Sequence, residues 1–204
     1  MRYLITPSLL NSWLYIDLCS ANVREAEADT ECLEDKILAK QEKTYLEFLD
    51  TLERKPHPTT HAQQMGIDFE ASCYRGETEV SPIIEGGTFQ AVGTRKESIG
   101  GIDFLLYGRL DVLKDGVIYD IKRVSRYEVG KYVHSAQHMF YLTLFPKAKY
   151  FEYLAWDGAK LHRERYFRED CIPTETLIAN FMDWLEAKNL MEVYKANWQS
   201  KEER

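Results

Sequence analysis

GRLDVLKDGVIYDIKR, Gly108–Arg123, alternates apolar and charged positions on either side of Asp115-Gly116. A two-residue type I′ turn needs positive φ at both central positions, which Asp and Gly tolerate, so the stretch predicts a β-hairpin. With these two residues as the turn, Lys114 pairs with Val117, Asp111 lies across from Asp120, and Arg109 lies across from Lys122. Strand side chains alternate between faces, so those last four share one face. Leu110, Val112, Tyr119 and Ile121 form the other, a core face.

Two carboxylates directly opposite each other sit ~5 Å apart, and like charges at that position destabilise a sheet. At an effective dielectric near 20 the repulsion is about 3 kcal/mol. A divalent cation between the carboxylates removes it, because hard ions such as Mg²⁺ seek carboxylate oxygens. The hairpin leaves one alternative open, an outward face on which water screens the pair.

The chain has 204 residues, enough for one well-filled domain. Its 45% hydrophobic and 29% charged residues place it with ordinary globular proteins rather than disordered or membrane-embedded ones. No apolar run reaches membrane-spanning length, and MRYLITPSLL lacks the charged and apolar regions of a signal peptide. Cys19, Cys32, Cys73 and Cys171 are scattered without a CxxC pair, which points to a reducing cytoplasm. The net charge of −7 argues against indiscriminate nucleic-acid binding. Its distribution is uneven: residues 25–55 hold ten acidic and five basic residues, whereas 109–149 hold eight basic and four acidic. The basic stretch contains the hairpin and hints at an anionic substrate.

Working outward, TPSLLNSWLYIDL predicts a helix entered through Pro7 and Ser8. TECLEDKILAKQEKTYLEFLDTLERK predicts a long amphipathic helix that stops at Pro56 and Pro58. A third helix runs from His61 to about Tyr74, with Met65, Phe69 and Cys73 spaced by four. Three strands follow as a meander, Thr88 to Arg95, Ile102 to Leu113 and Val117 to Lys122, then a helix, SAQHMFYLTLF, ended by Pro146. Strands Tyr150 to Trp156 and Lys160 to Phe167 flank Asp157-Gly158, and a last helix starts after Pro173-Thr174. This order predicts an α/β protein of mixed α+β type, a mixed sheet flanked by helices. It forms a single domain with a helical N-terminal region at about 1–60, a core at about 61–170 and a C-terminal helix at about 173–198.

Several residues could join the aspartates. Glu70 lies at the edge of the third helix's apolar stripe. Lys122, two residues beyond Asp120 on the same face, can place an ammonium beside a water and the charge growing on a phosphoryl oxygen. Its plainer role is an ion pair with the diagonal Asp111. Gln137 and Tyr141 are four apart, hence stacked on one helix face, and together could grip a phosphate or a base edge. His134 and His138 share that spacing, which suits zinc, but position 135 is Ser where HExxH has Glu. There is no Walker loop, GxSxG elbow or GxGxxG after a strand.

Glu on a helix, then GRLD, then DIK, then QxxxY on the next helix: this order resembles the PD-(D/E)XK nuclease superfamily, in particular its RecB-like branch of phage-type exonucleases. The resemblance covers most of the chain. Gly66 to Glu70 resembles the first acidic motif, Gly108 to Asp111 the second, Asp120-Ile121-Lys122 the third, and Gln137 to Tyr141 the branch-specific helix. It implies a restriction-endonuclease-like αβββαβ core with an extra N-terminal helical region, and metal-assisted hydrolysis of DNA phosphodiester bonds. Glu70, Asp111, Asp120 and the Ile121 carbonyl would hold Mg²⁺ or Mn²⁺, and Lys122 would position the water. Gln137 and Tyr141 would contact the DNA backbone, with Arg109, Arg123 and Ser125 as further substrate-binding residues.

The superfamily's proline is absent, Tyr119 standing before Asp120, and only Cys171 is late in the chain, so no iron–sulfur cluster is expected. DNA is the expected partner, alongside a homo-oligomer or a recombination partner protein, and no membrane. The rival expectation is a catalytically inactive nuclease-like fold that binds nucleic acid or protein. Retention of all four charged positions argues against it.

Overall fold

The computed structural model describes residues 1–26 and 33–201, with side chains described except at 17, 19–26 and 33–34. The start of the long predicted helix (residues 30–32) and Cys32 therefore lie outside the described residues. Among the described residues the strands are β1 Tyr3–Ile5, β2 Thr88–Phe89, β3 Val92–Ile99, β4 Ile102–Arg109, β5 Val112–Lys114, β6 Val117–Arg123, β7 Tyr150–Trp156 and β8 Leu161–Tyr166. The helices are α1 Pro7–Ala26, α2 Leu33–Leu52, α3 His61–Tyr74, α4 Ser81–Ile84, α5 Ala136–Leu144, α6 Thr174–Ala187 and α7 Met191–Asn197.

The chain forms two compact units. One comprises residues 57–95 and 107–174, the other 1–56, 96–106 and 175–204.

The first unit is built on a five-stranded sheet in the order β2-β5-β6-β7-β8. Every pairing is antiparallel except β6 with β7, which are parallel and joined through α5. The Asp115-Gly116 turn forms as expected, with φ of 53° and 80°, and the β5–β6 register pairs Val112 with Tyr119 and Lys114 with Val117. One face packs under α3 and α4, where Cys73, Val80 and Ile84 meet Val112, Val117, Tyr119, Ile121 and Leu154. The other packs under α5, where Tyr141 stacks on Phe151 at 6.0 Å between centroids.

Two expectations about the hairpin need correction. Ile102 to Leu113 is two strands in different sheets, because the chain bends at Leu110-Asp111 alongside a matching bend at Gln90-Ala91. There Gln90 takes a left-handed φ of 54°, and its N–H donates to the Asp111 carbonyl at 2.8 Å. Arg109 therefore ends β4 and does not lie across from Lys122. Nor is the charged face solvated. β6 is buried from Val117 through Ile121, and Asp120 is 3% exposed. A strand paired on both sides and covered on both faces reads as apolar throughout; this one carries an aspartate.

In the second unit α1 packs on α2, and Trp13, Phe48, Phe181 and Trp184 form an aromatic cluster with ring centroids 5.2–6.4 Å apart. β1, absent from the sequence expectation, pairs in parallel with β4, Tyr3 opposite Phe104. The expected single C-terminal helix is two, divided where Asn189 adopts a φ of 58°, a left-handed helix stop.

Candidate active site

The charged residues singled out above are carried by α3, the β4–β5 bend, β6 and α5, all in the first unit. α3 starts at a capping box, the Gln63 N–H donating to Thr60 Oγ1 at 3.2 Å and the Thr60 N–H to Gln63 Oε1 at 2.8 Å. Its last turns present Glu70. Glu70 Oε1 accepts hydrogen bonds from the Tyr74 hydroxyl, one helical turn on, and from Gln90 Nε2 at 2.8 Å. Gln90 Nε2 also lies 2.9 Å from the Tyr74 hydroxyl. Burial and the Glu70 hydrogen bond push the Tyr74 phenol far above its usual range, so it remains a donor.

Asp111 stands at the bend where β4 gives way to β5, and its Oδ2 accepts the Ile121 N–H at 2.8 Å. The carboxylate thus caps a strand amide. Asp120 faces α5: Gln137 Nε2 donates to its Oδ1 at 3.0 Å, and Lys122 Nζ lies 2.6 Å from its Oδ2. Lys122 thus holds Oδ2 and Gln137 holds Oδ1, so each oxygen of this buried carboxylate has one side-chain partner. Gln137 is held by the start of its helix, where its N–H donates to the side chain of the N-cap Ser135 at 3.2 Å.

Burial, then the neighbouring Asp120, pushes the Asp111 carboxyl up to about 8. Asp120 is also raised, by burial, against the opposing pull of Lys122. For Lys122 burial acts downward, but Asp120, Asp111 and Glu70 together outweigh it and hold the ammonium. One cation therefore sits in the field of three carboxylates, two of them costly to ionise. Charged groups perturbed by burial and by each other are a mark of functional sites.

Tyr141 lies beneath the bend. Its ring is 6% exposed, its hydroxyl donates to the Arg109 carbonyl at 2.8 Å, and a Cβ at Gly108 would stand 2.7 Å from Tyr141 Cε1. Tyr141 thus supports the GRLD turn rather than facing solvent, and Gly108 is the residue that lets the strand pass over it. Arg109 is exposed at the end of β4, half-buried Arg123 donates to the Val124 carbonyl at 3.1 Å, and Ser125 is exposed beyond β6. Among the described residues none of the three bonds the side chain of Asp111 or Asp120.

The histidine pair is a correction. α5 begins at Ala136, so His134 lies before the helix and is exposed, and the i, i+4 argument has no single helix to act on. His138 is 1% exposed, stacks on Tyr166 at 3.9 Å, and is pushed down to about 4 by burial. It is a neutral core residue.

The donor set suits a hard cation in kind: three carboxylates, with one buried Asp120 oxygen whose partner is the Lys122 ammonium. It is not drawn together in advance. Among the described residues no group of three or more His, Cys, Asp or Glu side chains is gathered closely enough to hold a metal, and Glu70 is engaged by Tyr74 and Gln90. A separate cleft of about 580 Å³, lined by Phe69, Glu77, Thr78, Val80 and Trp156 among others, contains none of these charged residues.

The sequence reading missed Tyr74 and Gln90. Tyr74 was reachable, since it lies four residues after Glu70 on the same helix. Gln90 carries no local signal, because the bend places it. Also missed was Glu152 on β7, 0% exposed, whose oxygens take Arg163 Nε at 2.9 Å, Arg163 Nη2 at 2.7 Å and Arg165 Nε at 2.8 Å. A lone carboxylate in the apolar run YFEYLAW was its signal.

No protein-family model matches the chain, and no curated protein does. Among solved structures it is similar to one described as "Crystal structure of SSO0001", with a TM-score of 0.56 and 14% identity, over 93% of this chain and 78% of that one. At that identity the likeness concerns the fold alone, a mixed α/β architecture. Among the described residues no helix is long and apolar enough to cross a membrane.

Proposed function

We propose that the protein is a metal-dependent deoxyribonuclease of the PD-(D/E)XK type that hydrolyses DNA phosphodiester bonds. The observation that carries this reading is the burial of Asp120 on a central strand, paired with Lys122 at 2.6 Å and beside the raised Asp111. Packing alone does not favour such a group.

Glu70, Asp111, Asp120 and the Ile121 carbonyl would hold Mg²⁺ or Mn²⁺. When bound, the cation supplies Lewis-acid polarisation of a phosphoryl oxygen and a more acidic water. Gln137 fixes the Asp120 carboxylate from the α5 side, and the Ile121 N–H fixes Asp111. Lys122, kept as an ammonium by three carboxylates, offers its charge to the oxygen that becomes more negative during hydrolysis.

Digestion of linear and circular DNA, single- and double-stranded, with Mg²⁺ or Mn²⁺ tests the proposal. Metal-dependent cleavage that disappears in Asp120→Ala is expected. The occupation of Glu70 by Tyr74 and Gln90 favours a second reading, a nuclease-like module that binds nucleic acid or protein without cutting. Wild-type protein that binds DNA but degrades no form of it with either metal establishes that second reading.

A further inference from the structure

Two buried side-chain oxygens stand out: the Tyr132 hydroxyl, which makes no hydrogen bond among the described residues, and Asp120 Oδ2, which has the Lys122 ammonium at 2.6 Å. They share a neighbourhood. Tyr153 is the register partner of Asp120 across β6 and β7, and the Tyr132 ring stacks on Tyr153 with centroids 4.1 Å apart and planes at 18°. Burial and the Asp120 charge hold the Tyr132 phenol in its protonated form. A protonated phenol is a donor, and this one has nothing to donate to.

Tyr132 arrives on the segment between β6 and α5, residues 124–135, which consists of turns and bends. Val129 there is 93% exposed and Val133 47%, and Gly130 takes a left-handed φ of 81°. A carboxylate on β8, the last strand of the sheet, fastens the segment at two points, and the Val124 N–H donates to the Trp156 carbonyl at its start. Glu164 Oε2 accepts the Tyr127 hydroxyl at 2.7 Å, and its Oε1 accepts the Tyr132 N–H at 3.3 Å and the Tyr166 hydroxyl. Tyr127 also stacks on His162 at 4.2 Å. An exposed middle made of turns, held by a few polar bonds and two ring stacks, is a feature of segments that open locally.

We propose that residues 124–135 form a lid latched by Glu164, and that Tyr132 is a further residue of the site. Closed, the lid buries Asp120 beneath Tyr132. Open, it exposes Asp120 to a cation and turns the Tyr132 hydroxyl toward an anionic phosphate oxygen. Leaving a buried hydroxyl unpaired costs free energy in the closed state, so closure is held by the Glu164 bonds and the ring stacks and not by the Tyr132 hydroxyl. The role of Tyr132 toward phosphate rests on the nuclease reading; the lid does not.

Hydrogen exchange on the full, metal-free chain tests the lid, with Glu164→Gln and the milder Tyr127→Phe. Both variants are expected to raise exchange at residues 125–134 at least fivefold while leaving β6 and β7 unchanged. Exchange in that segment unaltered by either variant overturns the proposal. A site open in only a fraction of molecules binds more weakly by that fraction. Calorimetric titration with Ca²⁺ alone is therefore expected to show several-fold tighter binding in both variants. Faster exchange with unchanged Ca²⁺ affinity would separate the segment from the site and overturn its role as a cover.

Tyr132→Phe keeps the stack on Tyr153 and removes only the hydroxyl. It is expected to lower kcat on DNA about tenfold without weakening Ca²⁺ binding. Cleavage at the wild-type kcat overturns the role of Tyr132 and leaves the nuclease reading standing. If the wild type neither cuts DNA nor binds Ca²⁺, yet the exchange pattern is found, the nuclease reading fails and the lid stands.

Discussion

Asp120 and Glu152 are carboxylates on adjacent parallel strands, 3% and 0% exposed, and their surroundings treat them in opposite ways. Glu152, under the α3 side of the sheet, is saturated: Arg163 grips both oxygens and Arg165 adds a third bond. Asp120, under the α5 side, has one bond from a glutamine amide and one from a lysine ammonium, a single partner for each oxygen. Arginine's planar fork matches a carboxylate and cannot be deprotonated, which makes it suited to permanent pairing. Lysine is a point charge that can turn to another partner. Burial by itself therefore does not identify a site; incomplete satisfaction of a buried charge does.

The comparison breaks first on stability. Glu152→Ala removes three charge-assisted bonds, and because the two guanidiniums left behind are half-exposed the loss should be about 1.5–3 kcal/mol in urea unfolding. Asp120→Ala, removing a charge that its surroundings resist, should cost far less or stabilise the metal-free protein. Equal losses would mean that both carboxylates are structural.

Next in size is Lys122→Ala. It should reduce DNA hydrolysis by ~10² or more, as loss of one preorganised electrostatic donor does, while the melting-temperature rise produced by Mg²⁺ persists. A variant that loses the metal response together with the rate would assign Lys122 to holding the cation's ligands in place.

The pH dependence should be unusual. The folded-state pKa of Asp111 is raised from the ordinary value of 3.8 to about 8. Between those values the native state binds more protons than the unfolded chain, so this group makes stability fall as pH rises, by less than ~1.4 kcal/mol per pH unit. His138, pushed down to about 4, acts in the opposite sense, its contribution rising between about pH 4 and 6.5. The difference between wild type and Asp111→Asn isolates the first effect. A flat difference from pH 4 to 8 would show that Asp111 ionises normally in the folded protein.

These residues also show how much was legible in the sequence. The hairpin register followed from Asp115-Gly116, because a two-residue turn leaves the pairing no freedom. α3 and α5 were legible from their apolar spacing, and Glu70, Asp120, Lys122 and Gln137 from motif order. The bend at Leu110-Asp111 was not, since nothing local distinguishes one long strand from two that cross between sheets. That bend moved Arg109 out of the hairpin and brought in Gln90. Tyr141 was found for its place in QxxxY, but its burial depended on Gly108, over thirty residues away. The alternation in VIYDIKR suggested one wet face, whereas the parallel neighbour β7 and helix α5 covered it.

The smallest effect expected is at that support. Tyr141→Phe leaves the Arg109 carbonyl without its buried donor and should cost about 0.5–1.5 kcal/mol. DNA binding in Ca²⁺ should be unchanged if the hydroxyl serves the turn alone; a clear loss would return Tyr141 to the backbone-contacting role that the resemblance implies.

The second unit has a consequence for the order in which the protein can be completed on the ribosome. The Tyr194 hydroxyl bonds the Leu4 carbonyl across 190 residues, the Leu4 N–H donates to the Trp198 carbonyl, and the Trp198 indole donates to the Leu52 carbonyl. β1 is made some 190 residues before its partner in α7. At ordinary synthesis rates the wait is roughly 10–40 s. The sheet that carries Asp120 needs nothing beyond residue 174 for its own pairings. During translation the nascent chain therefore exposes an apolar N-terminal strand and helix while its charged strand is already paired, and a chaperone that shields α1 and β1 would act in that interval.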